Sequence, residues 1–222
     1  MFSKDSLIDA VLRGVIGANS YYERISSGFW LSEAGVENVI QYKVSESVFR
    51  LVKEYGFSVH LELPMREFLA ISGVPTTGPV PRLLDGSKRI DVVILNEAGK
   101  PVVPIEIKRG ISGDGLGTDA GRISKLVERA STAKGGAAKY GLICGFVAGS
   151  GTDRESAIRN LTQKISTAKE NVSELVTSKY SVSAVFNSRT SSPSQFELVD
   201  GATKWWAAGA VCVYIRYRDS GD

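Results

Sequence analysis

The stretch Lys88-Arg89-Ile90-Asp91-Val92-Val93-Ile94-Leu95-Asn96-Glu97-Ala98-Gly99-Lys100-Pro101-Val102-Val103-Pro104-Ile105-Glu106-Ile107-Lys108-Arg109-Gly110 decides how the rest of the chain is read. Two β-rich runs flank a Gly-containing turn, the pattern of a β-hairpin. Asp91 enters the first run, and Glu106-x-Lys108 closes the second. Alternation along a strand puts Glu106 and Lys108 on one face and Ile105 and Ile107 on the other. An acid and an amine therefore emerge side by side at a strand end, facing a second acid on the neighbouring strand. Charged groups inside apolar strands are costly unless paired or bound to an ion. The expectation is a site that holds a divalent metal and activates a water.

The 222 residues are 43% hydrophobic, enough to bury the core of one domain. With 9% aromatic and 23% charged residues, disorder, collagen-like repeats and coiled coil are poor readings. Asp5 to Ala18 carries Leu7, Ile8, Val11, Leu12, Val15 and Ile16 at helical spacing, but Asp9 and Arg13 interrupt any run long enough for a signal or membrane helix. It reads as an amphipathic surface helix, with no membrane partner. Cys144 and Cys212 lie in apolar runs, so buried free thiols and a cytoplasmic location are expected. His60 is the single histidine, which excludes a histidine-rich zinc site. Within Phe57 to Leu63 it reads as a strand residue rather than a catalytic base.

A helical pattern runs from about Ser32 to Tyr55 on Val36, Ile40, Val44, Val48, Leu51, Val52 and Tyr55, with Gly56 as its stop. If the helix is continuous, Glu37 falls within its apolar arc and Glu46 falls opposite, beside Arg50 and Lys53. Glu37 is then an inward acid and a site candidate, and Glu46 a solvated one; a break near Lys43 reverses that preference. Tyr21 to Trp30 reads as a connection packed on the core. The region from Pro64 to Pro81 holds four of the seven prolines and reads as largely irregular, a loop at the edge of the site or a surface excursion. Gly110 to Gly117 meets neither common phosphate-loop pattern and reads as a linker over the site. A helix follows from Thr118 or Asp119, as cap, to about Lys134, with Arg122, Lys125 and Arg129 on one stripe. Tyr140 to Ala148 is a buried central strand by its continuous apolar run, and a helix spans about Asp153 to Val176. Strand patterns at Tyr180 to Asn187, Gln195 to Val199 and Ala210 to Tyr217 close the chain. The order predicts an α/β fold, a central mixed β-sheet flanked by helices, in a single domain.

A bare [DE]-x-K proves little, since 24 acids and 13 lysines predict about 1.4 chance occurrences. Glu106-Ile107-Lys108 is the only one, and its context is what counts: a strand end, Asp91 on the hairpin partner, a helical acid upstream and a basic helix downstream. Together these resemble the PD-(D/E)XK superfamily of restriction-endonuclease-like nucleases, over roughly Ser32 to Ala148. The resemblance implies a restriction-endonuclease-like fold and metal-dependent cleavage of phosphodiester bonds, in phage defence, restriction or repair. It makes Asp91 the first metal-binding acid, with Ile90 where a proline often stands, Glu106 the second acid, Lys108 the catalytic lysine and Glu37 the helical acid. Glu46 is the alternative for that last position.

The residues fit this chemistry in their own right. Asp91 and Glu106 offer hard oxygens suited to Mg2+ or Mn2+, and the Ile107 carbonyl can add a third. Residues 100 to 139 hold eight basic residues against four acids, an excess of +4 where the whole chain has +3. Arg109, Arg122, Lys125 and Arg129 are therefore the expected nucleic-acid contacts, to DNA before RNA, against the plainer reading of a solvated helix face. Trp205-Trp206 reads as buried against the sheet or as a homodimer contact, ahead of base stacking. The main alternative is a non-catalytic nucleic-acid-binding or assembly module on the same scaffold. A further one is an unrelated α/β enzyme with a structural hairpin.

Overall fold

The computed structural model describes residues 2–31, 37–74, 84, 88–110, 113–177, 182–197 and 203–217. Ser3 starts helix α1 (Lys4–Ile25), its hydroxyl accepting the Ser6 N–H at 3.0 Å. The apolar face read from Leu7 to Ile16 is buried against the sheet, and the helix continues through Tyr21 and Tyr22, which were expected in a connection. No proline interrupts it, and Tyr22 gains contact with the core by staying helical. Helix α2 (Glu37–Val52) buries Ile40, Val44, Val48 and Val52. A 3-10 turn, Lys53–Tyr55, then ends at Gly56 with φ +73, a left-handed cap that favours glycine. The expected start of this helix at Ser32 lies outside the described residues. Helices α1 and α2 cross closely at Gly14, where a Cβ would come within 2.6 Å of Val44 Cα.

Strand β1 (Ser58–Pro64) leads into the short helix α3 (Met65–Ile71), in the region read as irregular. Pro64 sits at the cap of α3, where its fixed φ and missing N–H cost nothing. Met65, Phe68 and Leu69, at helical spacing, are buried. Of the expected loop, the stretch 75–81 lies outside the described residues. Strand β2 (Arg89–Leu95) pairs antiparallel with β1 and with β3 (Pro101–Lys108). Their turn is held by Asn96 Oδ1, which accepts from Ala98 N and Lys100 N, and by Gly99 at φ +69.

Helix α4 (Gly113–Arg129) starts earlier than read, inside the Gly-rich stretch, whose residues 111–112 lie outside the described set. Burial of Leu116, Ala120, Ile123, Leu126 and Val127 outweighs the poor helix propensity of its glycines. Asp119 consequently lies inside the helix and not at its cap. Strand β4 (Gly141–Gly151) runs parallel to β3, with Glu106 beside Ile143, and is buried along most of its length as its apolar run requires. Helix α5 (Arg154–Thr177) follows, then β5 (Val182–Thr190), β6 (Ser194–Glu197) and β7 (Thr203–Tyr217).

The sheet is mixed, ordered β1-β2-β3-β4-β7-β5, with β6 on the start of β7. Ile105, Ile107, Val92 and Cys144 pack with α1 and α2 on one face; Val93, Ile143 and Val213 pack with α3 and α4 on the other. Helix α5 lies over β4 and β7. The chain is thus α/β, with helices on both faces. Strand β7 begins earlier than read and takes in Trp205 and Trp206. Both are half-buried, the Trp206 ring lying 5.4 Å from that of Trp30. Cys144 and Cys212 face each other across β4 and β7 as buried free thiols. Among the described residues, no helix is long and apolar enough to cross a membrane.

Candidate functional site

The hairpin brings Asp91, near the start of β2, to the end of β3. Its Oδ2 accepts the Ile107 backbone N–H at 2.6 Å. Burial pushes the Asp91 carboxyl up to about 7, and the charges of Glu106 and Glu37 push the same way, against the Ile107 N–H and Lys108. Ile107 thus meets Asp91 through its N–H.

Glu106 is only 5% exposed and points toward α4, as strand alternation requires. Burial raises its pKa too, opposed by Arg122 and Lys108. Its two oxygens differ. Oε1 accepts from Lys108 Nζ at 3.2 Å and from Arg122 Nη2, whereas Oε2 is buried without a hydrogen-bond partner. Lys108 Nζ also meets Asp119 Oδ2 at 2.9 Å, and Arg122 Nη2 meets Asp119 Oδ1 at 2.9 Å. Glu106, Lys108, Asp119 and Arg122 therefore close a ring of two acids and two bases. Burial depresses the Lys108 pKa, but its contacts with Asp119 and Glu106 outweigh this and raise it overall.

This arrangement corrects the basic stripe. Arg122 is 7% exposed and faces the strand end, so it cannot meet a phosphate at the surface. The reason is the helix phase: Arg122 stands one turn after Asp119, on the side of α4 laid over β3. Lys125 is half-exposed and paired with Glu128 at 2.7 Å, Arg129 is half-buried, and Arg109 is exposed at the end of β3.

Glu37 opens α2 and is exposed, not buried as the apolar arc suggested, because it lies in the first turn, beyond the packed part of the helix. Its charge nevertheless acts on Asp91. Glu46 is held by Lys43 at 2.5 Å and Arg50 at 2.6 Å, and its pKa is lowered, chiefly by Lys43. It lines a cleft of about 410 Å³ between α1 and α2 with Arg13, Lys43 and Arg50, and is not among the groups that act on Asp91 or Glu106.

Three residues of the site were missed. Gln41, one turn after Glu37 and 9% exposed, donates through Nε2 to Glu62 Oε1 at 2.6 Å and to the Asp91 carbonyl at 2.8 Å. Its signal was available: it is a polar residue beside Ile40 on the buried arc. Glu62 lies on β1 in the gap between the Leu61–Val92 and Leu63–Ile90 pairs, opposite Asp91, with φ +53. Left-handed backbone in a non-glycine residue is uncommon and clusters at sites. Asp119 is the third. His60 is exposed on the edge strand β1.

Among the described residues no three His, Cys, Asp or Glu side chains gather into a group able to hold a metal, so Asp91 and Glu106 stand as a pair. No family model, curated protein or solved structure matches the chain.

Proposed function

We propose that the chain is a divalent-metal-dependent nuclease of the restriction-endonuclease-like, PD-(D/E)XK kind, hydrolysing phosphodiester bonds in DNA. The observation that carries this reading is the pair Asp91 and Glu106 at adjoining strand ends, both with raised pKa, beside Lys108. Two carboxylates that disfavour each other's charge, one with a bare buried oxygen, suit a hard cation such as Mg2+ or Mn2+. Asp91 and Glu106 would hold it, the Ile107 carbonyl being a further donor at the same strand end. When bound, such an ion lowers the pKa of a coordinated water and offsets phosphate charge.

The chain's own groups supply the rest. Lys108 has three N–H donors, of which Glu106 and Asp119 take two, leaving one to orient a water or a phosphate oxygen. Glu37, exposed and near enough for its charge to act on Asp91, would accept a hydrogen bond from a water. Arg109 and Lys125 stand toward solvent for the phosphate backbone.

A second reading, a non-catalytic nucleic-acid-binding or assembly module, is favoured by the closed ring, which neutralises Lys108 with two acids. Incubation of supercoiled plasmid and single-stranded DNA with Mg2+, Mn2+ or EDTA separates the two. The nuclease reading expects EDTA-sensitive cleavage by the wild type and none by Lys108→Ala. Equal cleavage by both would sink it.

A further inference from the structure

We infer that Arg122 and Asp119 are positioning residues: Arg122 occupies Glu106 Oε1 so that a divalent cation meets only Oε2, and Asp119 holds Lys108 with one N–H left over. The inference deepens the nuclease reading and rests on it.

The geometry gives each group one place. Arg122 Nη2 donates to Glu106 Oε1 and forms an ion pair with Asp119 Oδ1 at 2.9 Å. Lys108 adds a second donor to the same Glu106 oxygen. Every bond to Glu106 thus falls on Oε1, and Oε2 is buried and bare. The side chains of Arg122, Asp119 and Glu106 are 8%, 9% and 6% exposed, so water does not replace a lost member of the ring. Groups that hold a ligand's second atom fix its orientation and basicity, and their loss lowers affinity or activity roughly 10- to 100-fold. Asp119 does the corresponding work for the amine, since Lys108 would otherwise fold wholly onto Glu106.

The test uses the full chain, Mn2+ as calorimetric titrant and cleavage of supercoiled plasmid, with Arg122→Gln and the near-isosteric Asp119→Asn. Arg122→Gln should bind Mn2+ about threefold more tightly or better, because a competing cation is gone and Oε1 keeps Lys108 as its one cationic neighbour. Its kcat should nevertheless fall roughly 10- to 100-fold. Asp119→Asn should keep the wild-type Mn2+ affinity and KM and lose about tenfold in kcat. A merely structural ring predicts that melting temperature, Mn2+ affinity and rate fall together in both variants, and that result overturns the inference. So does wild-type kcat in both. If the wild type binds Mn2+ but cuts neither DNA, the nuclease reading alone fails, and the affinity gain in Arg122→Gln still decides for or against the positioning role. Should Arg122→Gln not fold, the split between kcat and affinity in Asp119→Asn decides it. A wild type that binds no Mn2+ overturns both.

Discussion

The Ile107 backbone N–H donates to Asp91 Oδ2 at 2.6 Å, tying the second acid's strand to the first acid's side chain. This bond favours the charged carboxylate, yet burial and the neighbouring Glu106 outweigh it and Asp91 sits at about 7, above its ordinary 3.8. The native state therefore holds this proton more tightly than the unfolded chain does. The stability this group contributes is complete below about pH 3.8 and is lost as pH rises through about 7. Urea unfolding without metal should show stability falling between those values. Asp91→Asn should flatten that fall, leave the apo protein as stable or more so near neutrality, and abolish divalent-dependent cleavage. A variant that keeps the wild-type pH profile would mean that Asp91 does not set it.

The ring makes a separate statement about folding. Arg122→Ala leaves the buried Glu106 with Lys108 alone, and breaking a buried ion pair costs about 3–5 kcal/mol. In a Glu106→Gln background the same substitution should cost less, because the one buried acid that loses Arg122 is Asp119, which Lys108 still holds. Chemical denaturation of the four proteins in that cycle gives the coupling directly. Additive losses would mean that Arg122 stabilises the fold independently of Glu106.

Much of this site was legible and some was not, for identifiable reasons. The hairpin, the central strand β4 and the apolar face of α2 follow from local periodicity and a Gly turn, which neighbouring residues determine between them. Asp119 and Arg122 were visible as charges, but which side of α4 lies on β3 is settled by the packing of Leu116, Ile123 and Leu126 across the sheet. A solvent-facing stripe was the natural local reading. Helix α4 reaches back into the glycines, and α3 forms among prolines, because burial of a few apolar residues overrides weak local preference. Glu62 carried no signal at all: alternation describes regular strands, and its φ of +53 is an irregularity in the gap between two pairs with β2.

Gln41 offers a test of that irregularity. Its amide joins Glu62 and the Asp91 carbonyl, so it holds α2 to both strands beneath the candidate site. Gln41→Leu keeps the volume and removes both bonds, leaving a part-buried carbonyl short of a partner at a cost of about 1 kcal/mol. Because Asp91 loses a fixed backbone, cleavage should fall further than the stability loss explains. Gln41→Leu with full cleavage by the folded fraction would confine Gln41 to a role in packing.

The basic residues divide by where the structure puts them. Arg109 is exposed at the end of β3, and Lys125 is 41% exposed despite its contact with Glu128, whereas Arg122 is inside the ring. Each phosphate contact releases bound counterions, so it adds about one unit to the slope of log affinity against log salt. Arg109→Ala with Lys125→Ala should weaken duplex binding in a salt titration and flatten that slope by about one to two units, uniformly across DNA sequences. An unchanged slope would make both residues ordinary surface charges and move the search for the phosphate path to the cleft lined by Arg13, Lys43 and Arg50, where Glu46 already offsets part of the charge.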